Sequence, residues 1–105
     1  MKESEFQAKL IKELEILFPD CVILKNDEQY IQGFPDLLIL YKKHWAALEC
    51  KRDVDAPYQP NQEYYLKILG DMSYSATIYP ENKEAIMYEL QTAFQPNRVT
   101  CISKC

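Results

Sequence analysis

GFPDLLILYKKHWAALECKRD, residues 33–53, holds two apolar runs, 37–41 and 45–48, on either side of the polar tripeptide 42–44. Both runs are short, rich in Leu, Ile, Tyr and Trp, and bounded by turn-formers or charges, the pattern of a β-hairpin covered on both faces. The charges gather at one end. Asp36 opens the first strand, and Glu49, Cys50 and Lys51 close the second.

Strand side chains alternate between faces, so the parity of the pairing decides which residues share a face. A two-residue loop at Lys43-His44, or a four-residue loop over 42–45, sets Asp36 opposite Lys51 and Leu38 opposite Glu49. Asp36, Glu49 and Lys51 then lie on one face, with the Cys50 side chain on the other. A three-residue loop would split the set. The expectation is the first parity.

Two carboxylates a few ångströms apart repel by roughly 1–4 kcal/mol at dielectrics from water-like to surface-like. A hard divalent cation between them removes that penalty. Mg²⁺ takes oxygen ligands in near-octahedral geometry and keeps several waters. A metal-bound water has a lowered pKa, and the metal stabilises charge on a phosphoryl oxygen. Lys51 would orient such a water or stabilise the developing negative charge. Asp36, Glu49 and Lys51 around Mg²⁺, or Mn²⁺ in its place, suit hydrolysis of a phosphodiester.

Pro35-Asp36, twelve residues, then Glu49-Cys50-Lys51 resembles the PD-(D/E)XK nuclease signature. With Gly33 ahead of it, the segment is similar to the small stand-alone phage and bacterial branch called VRR-NUC, the virus-type replication–repair nucleases, which resemble Holliday-junction resolvases in architecture. The likeness runs from about residue 3 to residue 85, with fewer than ten residues in its specific motifs. It implies metal ligation by Asp36, Glu49 and the Cys50 backbone carbonyl, with Lys51 beside the water. It also implies a homodimer whose two sites make paired nicks in branched DNA.

With 105 residues the chain is expected to be one domain, 1–105. Hydrophobic content of 48% and only two glycines fit a core without long linkers. No apolar run approaches the ~20 residues that span a bilayer. The opening MKESEFQ lacks the apolar segment of a signal peptide. A cytoplasmic location, bacterial or in an infected cell, is therefore expected, with no membrane partner. Cys21, Cys50, Cys101 and Cys105 form no CxxC pair and are expected to be free, buried thiols. One histidine in the chain leaves zinc poorly served. The net charge of −4 counts against nucleic acid, yet Lys25, Lys42, Lys43, Lys51 and Arg52 all fall in or beside the expected sheet.

Toward the N-terminus, residues 3–18 read as an amphipathic helix with Phe6, Leu10, Leu14 and Leu17 on its stripe, Ile11 beside them, and Pro19-Asp20 ending it. Glu3 and Gln7 fall on or near that stripe, and Glu5 lies away from it. A core-facing carboxylate is costly unless paired or metal-bound. By the resemblance, an acid in this helix completes the metal site, so Glu3 is the first candidate, Glu5 the second and Glu13 the third. Ser4 and Gln7 also make a capping box that would start the helix at Ser4. Residues 21–24 read as the first strand, and 25–34 as a polar loop. Within it Tyr30 either contacts substrate or packs over the hairpin; packing is favoured. Gly33 marks a turn where a side chain would obstruct.

Toward the C-terminus, 53–61 is a Pro-bearing connection, and a second helix runs from Asn61 or Gln62 to Leu69, with Gly70 as its stop. The sequence alone makes Gln62 a surface residue; the resemblance puts it beside the metal, on a water or phosphate. Residues 73–79 read as a strand, 81–94 as a third helix capped by Asn82 or Glu81, and 98–102 as a short strand or tail. His44 reads as a solvated turn residue. The order predicts an α/β fold, a central mixed sheet flanked by helices with a restriction-endonuclease-like α-β-β-β-α-β core. The expected function is a Mg²⁺-dependent endonuclease cutting DNA, and the resemblance implies branched or Holliday-junction DNA as its substrate. Two alternatives are an inactive nucleic-acid- or protein-binding module on the same fold, and a structural domain whose hairpin-end charges form an ion-pair cluster.

Overall fold

The computed structural model describes residues 1–27 and 29–95. Their order is α1 (Glu3–Leu17), β1 (Val22–Lys25), β2 (Leu37–Tyr41), β3 (His44–Cys50), α2 (Gln62–Met72), β4 (Tyr74–Ile78) and α3 (Lys83–Phe94). The fold is α/β, with a four-stranded mixed sheet in the order β1-β2-β3-β4. β1, β2 and β3 pair antiparallel, while β4 joins β3 in parallel after the α2 connection. The expected strand at 98–102, with Cys101 and Cys105, lies outside the described residues. Among the described residues no helix is long and apolar enough to cross a membrane.

The hairpin register corrects the expectation by two residues. Tyr41 pairs with His44 and Leu37 with Leu48, so the turn is Lys42-Lys43. Lys42 takes the left-handed φ of 55° that this tight turn needs. A shift of two keeps the parity, because faces alternate with period two. Continued by one residue, the register sets Asp36 across from Glu49, not from Lys51.

One face of the sheet carries the core. Leu37, Ile39, Leu48, Cys50 and Ile78 are fully buried there, against Phe6, Leu10 and Leu14 of α1 and Ile86, Leu90 and Phe94 of α3. Each Leu, Ile or Phe among them contributes about 1.5–3 kcal/mol through its removal from water. Phe18, just past α1, is fully buried and packs on Tyr41 and Phe94 at ring distances of 5.2 and 5.0 Å. His44 is not a solvated turn residue: it opens β3 and stacks on Phe94, with centroids 6.0 Å apart. No capping box forms at Ser4. The helix starts one residue earlier, with Lys2 as N-cap and no side-chain cap bond.

On the other face α2 covers β3 and β4, and leaves Val22, Leu24 and Leu40 exposed on β1 and β2. Gly70 does not stop α2, which continues to Met72. A Cβ there would stand 3.2 Å from Ser75 Oγ, so the glycine serves the packing of helix on strand. Ser75 in turn donates its hydroxyl to the Leu66 carbonyl. Asn82 is the N-cap of α3 but gives no cap bond. Its side chain turns back to β4, accepting from Tyr79 N and donating to the Thr77 carbonyl.

Candidate active site

The end of the sheet away from the Lys42-Lys43 turn gathers the last residues of β3, the approach to β2, the start of α2 and the start of α1. Glu49 is 2% exposed. Its Oε2 accepts from Gln62 Nε2 at 2.7 Å and lies 3.5 Å from Lys51 Nζ. Its Oε1 is buried with no hydrogen-bond partner. Asp36 Oδ2 accepts from the Cys50 backbone N–H at 2.8 Å, a bond that ties the entry of β2 to the exit of β3. In an extended strand the N–H and C=O of one residue point the same way, so the Cys50 carbonyl is directed toward the Asp36 side. The Cys50 side chain sits in the core on the opposite face.

Lys51 is as closely held as Glu49. Its Nζ donates to the Pro57 carbonyl at 3.0 Å and to Gln62 Oε1 at 2.9 Å, and lies 5.5 Å from the centre of the Tyr58 ring. Gln62 Oε1 also accepts from Gln59 N at 2.7 Å. The Gln62 amide is thereby fixed in orientation, oxygen to the ammonium and nitrogen to the carboxylate. Gln62 is 4% exposed, not a surface residue. It reaches the site because Asn61, at a left-handed φ of 71°, turns the chain into α2 just before it.

No family model matches the chain, and no curated protein or solved structure is significantly similar to it. The site therefore stands on its own chemistry. Burial pushes the Glu49 carboxyl up to about 8 from an ordinary 4.5. The Asp36 charge pushes the same way, the Lys51 ammonium pulls back, and Glu3 adds a small further push. The Cys50 thiol is raised far above its ordinary value, first by burial and then by Asp36, which leaves it inert.

Glu3 and Glu5 both line the cleft of about 840 Å³ that opens over Glu49 and Lys51. Glu13 is placed elsewhere, paired with Lys83 of α3 at 2.9 Å. Among the described residues no three His, Cys, Asp or Glu side chains converge as metal ligands. Glu3 thus faces the cleft without joining Asp36 and Glu49 in a three-carboxylate cluster. Asp36, Glu49 and the Cys50 carbonyl nonetheless fit a hard cation that keeps its own waters. The buried, unbonded Glu49 Oε1 beside a second carboxylate is the oxygen such an ion would satisfy.

Several participants were not singled out from the sequence: Pro57, Tyr58, Gln59 and Lys2. The only local sign of the first three was an interrupted, Pro-rich connection. Tyr30, expected over the hairpin, is instead 86% exposed.

Proposed function

We propose that the chain is a divalent-cation-dependent nuclease that hydrolyses DNA phosphodiesters. The observation that carries this reading is Glu49. One of its oxygens is buried without a hydrogen bond, the other contacts Gln62 and Lys51, and Asp36 lies close enough to raise its pKa. A structural ion-pair cluster would satisfy both oxygens, since an unpaired buried one costs about 1–3 kcal/mol.

Asp36, Glu49 and the Cys50 carbonyl would hold Mg²⁺ or Mn²⁺. When bound, the ion supplies a Lewis acid for the phosphoryl oxygen and a water of lowered pKa. Lys51 places a positive charge beside Glu49, where it stabilises charge developing on the phosphate. Gln62 keeps Lys51 and Glu49 in register with each other. Lys2 and Arg52, in the same cleft, offer cations to flanking phosphates despite the net charge of −4. The PD-(D/E)XK and VRR-NUC resemblance supports branched or Holliday-junction DNA as substrate, in a bacterial or infected-cell cytoplasm. The exposed row Val22, Leu24 and Leu40 offers an apolar surface to a second copy, consistent with a homodimer.

A second reading is a binding module that keeps the fold without turnover. The absence of a three-side-chain ligand cluster among the described residues favours it. A cleavage panel of branched and linear DNAs with Mg²⁺, Mn²⁺ or chelator separates the two. The nuclease reading expects metal-dependent cutting that Asp36→Ala and Lys51→Ala abolish while remaining folded. Binding without cutting under every metal supports the module, and cutting retained in both folded variants refutes the site.

A further inference from the structure

Next to the cleft lies a second depression, of about 470 Å³, formed by six nearly consecutive residues: Tyr58, Gln59, Pro60, Asn61, Glu63 and Tyr64. Gln59 lines both cavities, so the two share a wall. We propose that this depression is a subsite for one unpaired nucleobase flanking the scissile phosphate, and that the substrates are nucleic acids with an unstacked nucleotide there. The proposal rests on the nuclease reading and names the substrate class for it.

The lining chooses the ligand. It contains no Lys, Arg or His, and its one charged residue is Glu63, which repels phosphate. It offers two tyrosine rings and the amides of Gln59 and Asn61. Flat aromatic faces with donors and acceptors at the rim suit a neutral planar heterocycle, and the volume lies in the range of small-ligand sites. Phosphates belong in the neighbouring cleft, where Lys2, Lys51 and Arg52 stand and a cation held at Glu49 would offset the carboxylates of Glu3, Glu5 and Glu49.

The rings are held in place. The Tyr58 hydroxyl bonds Thr77 Oγ1 at 2.7 Å, and its ring is 5.5 Å from Lys51 Nζ. Tyr64 rests edge-on against Tyr65 at 5.2 Å, and Tyr65 packs on Phe34 at 5.5 Å. The backbone between them is clamped: a Cβ on Gly33 would come within 2.5 Å of the Pro60 carbonyl oxygen and 2.7 Å of Asn61. Yet Tyr58 and Tyr64 remain 44% and 61% exposed. Rings fixed by their neighbours but open to solvent lose little freedom when a base stacks on them. Pro57, whose carbonyl binds Lys51, adjoins Tyr58 in sequence, which places the base subsite one residue from the charged site. A base inside a duplex is already stacked and paired and cannot enter without being extruded.

The test is a fluorescence titration of the full chain, in Ca²⁺ to suppress cutting, with oligonucleotides carrying 2-aminopurine at an unpaired or a fully paired position. Parallel cleavage assays use Mg²⁺. The expected result is quenching of the unpaired probe only. Tyr64→Ala should weaken that binding about fivefold or more, the loss of one base–aromatic stack, and Tyr64→Phe should retain it. Tyr64 is exposed on α2 and Ala is a strong helix former, so the variant folds. Equal affinity of Tyr64→Ala and parent for the unpaired probe, or quenching of the paired probe alone, overturns the subsite. If the parent cuts DNA but shows no Tyr64 dependence, the subsite fails and the nuclease reading stands. If Tyr64-dependent quenching occurs without cutting under any metal, base binding in the depression stands, while the scissile phosphate beside it and the nuclease reading fail. Tyr64-dependent binding of a protein partner in place of any oligonucleotide overturns both.

Discussion

Gln62 donates its side-chain nitrogen to Glu49 at 2.7 Å and accepts on its oxygen from Lys51 at 2.9 Å, so one amide spans the two charged residues of the hairpin end. All three are buried. An amide suits this position because it donates and accepts at once, whereas a carboxylate only accepts and an ammonium only donates.

Gln62→Ala should therefore cost more than a helix-surface change. It removes the partners of Glu49 Oε2, Lys51 Nζ and the Gln59 N–H together. We expect a loss of about 2–4 kcal/mol in urea unfolding, from buried polar groups left partly unsatisfied. Cleavage should fall with it, even at a temperature where the variant stays folded. Gln62→Glu should be worse for activity than for folding, because it keeps the acceptor for Lys51 and sets a second carboxylate against Glu49.

Stability in chelator should fall as pH rises. Glu49 ionises near 4.5 in the unfolded chain and near 8 in the folded one, so between those values only the folded state holds the proton. Its stabilising share is complete below about 4.5 and is lost as pH climbs through about 8. Glu49→Gln should flatten that dependence and exceed the parent at alkaline pH, by at most about 5 kcal/mol. Thermal melts of both proteins across this range decide it, and identical slopes would count against the assigned ionisation.

Metal should reverse the same penalty. Mn²⁺ held by Asp36 and Glu49 favours the ionised carboxylates, so it should raise the melting temperature most at alkaline pH. At a hundredfold excess over its Kd the gain is about 2.7 kcal/mol. The affinity should increase with pH, because binding displaces the Glu49 proton. Asp36→Asn and Glu49→Gln should each abolish the shift, read by calorimetry with and without the ion.

The two glycines should respond unequally to alanine. Gly33 has φ of +87° and no room for a Cβ beside Pro60 and Asn61. Gly33→Ala should cost at least about 1–3 kcal/mol through strain and displacement, and should loosen the turn that carries Gln62. Gly70 lies inside α2, where alanine gains about 1 kcal/mol of helix propensity against a 3.2 Å contact with the Ser75 hydroxyl. Its net change in urea unfolding should stay below about 1 kcal/mol.

Much of this architecture can be read from local pattern. The alternation of strand side chains puts Asp36, Glu49 and Lys51 on one side of the hairpin for either even-length turn, and the helical stripes of Phe6-Leu10-Leu14 and Ile86-Leu90-Phe94 name the core faces. The register is less legible. Its turn is Lys42-Lys43, and neither residue advertises the left-handed backbone that Asn or Gly would. Gly70 misleads for a related reason: a glycine that ends a helix and one that admits a neighbouring strand look alike until the strand is placed.

What the chain determines by itself is periodicity: which residues face inward, and that three charged residues share one end of a strand pair. Only the tertiary structure decides that Lys51 is held by a carbonyl six residues on, that Gln62 is buried between two charges, and that Glu13 turns to α3 while Glu3 faces the cleft. Those outcomes depend on how the 53–61 connection closes and how each helix docks. Such contacts join residues on different elements and loops, and their strength comes from burial, which no stretch of a few residues can supply alone.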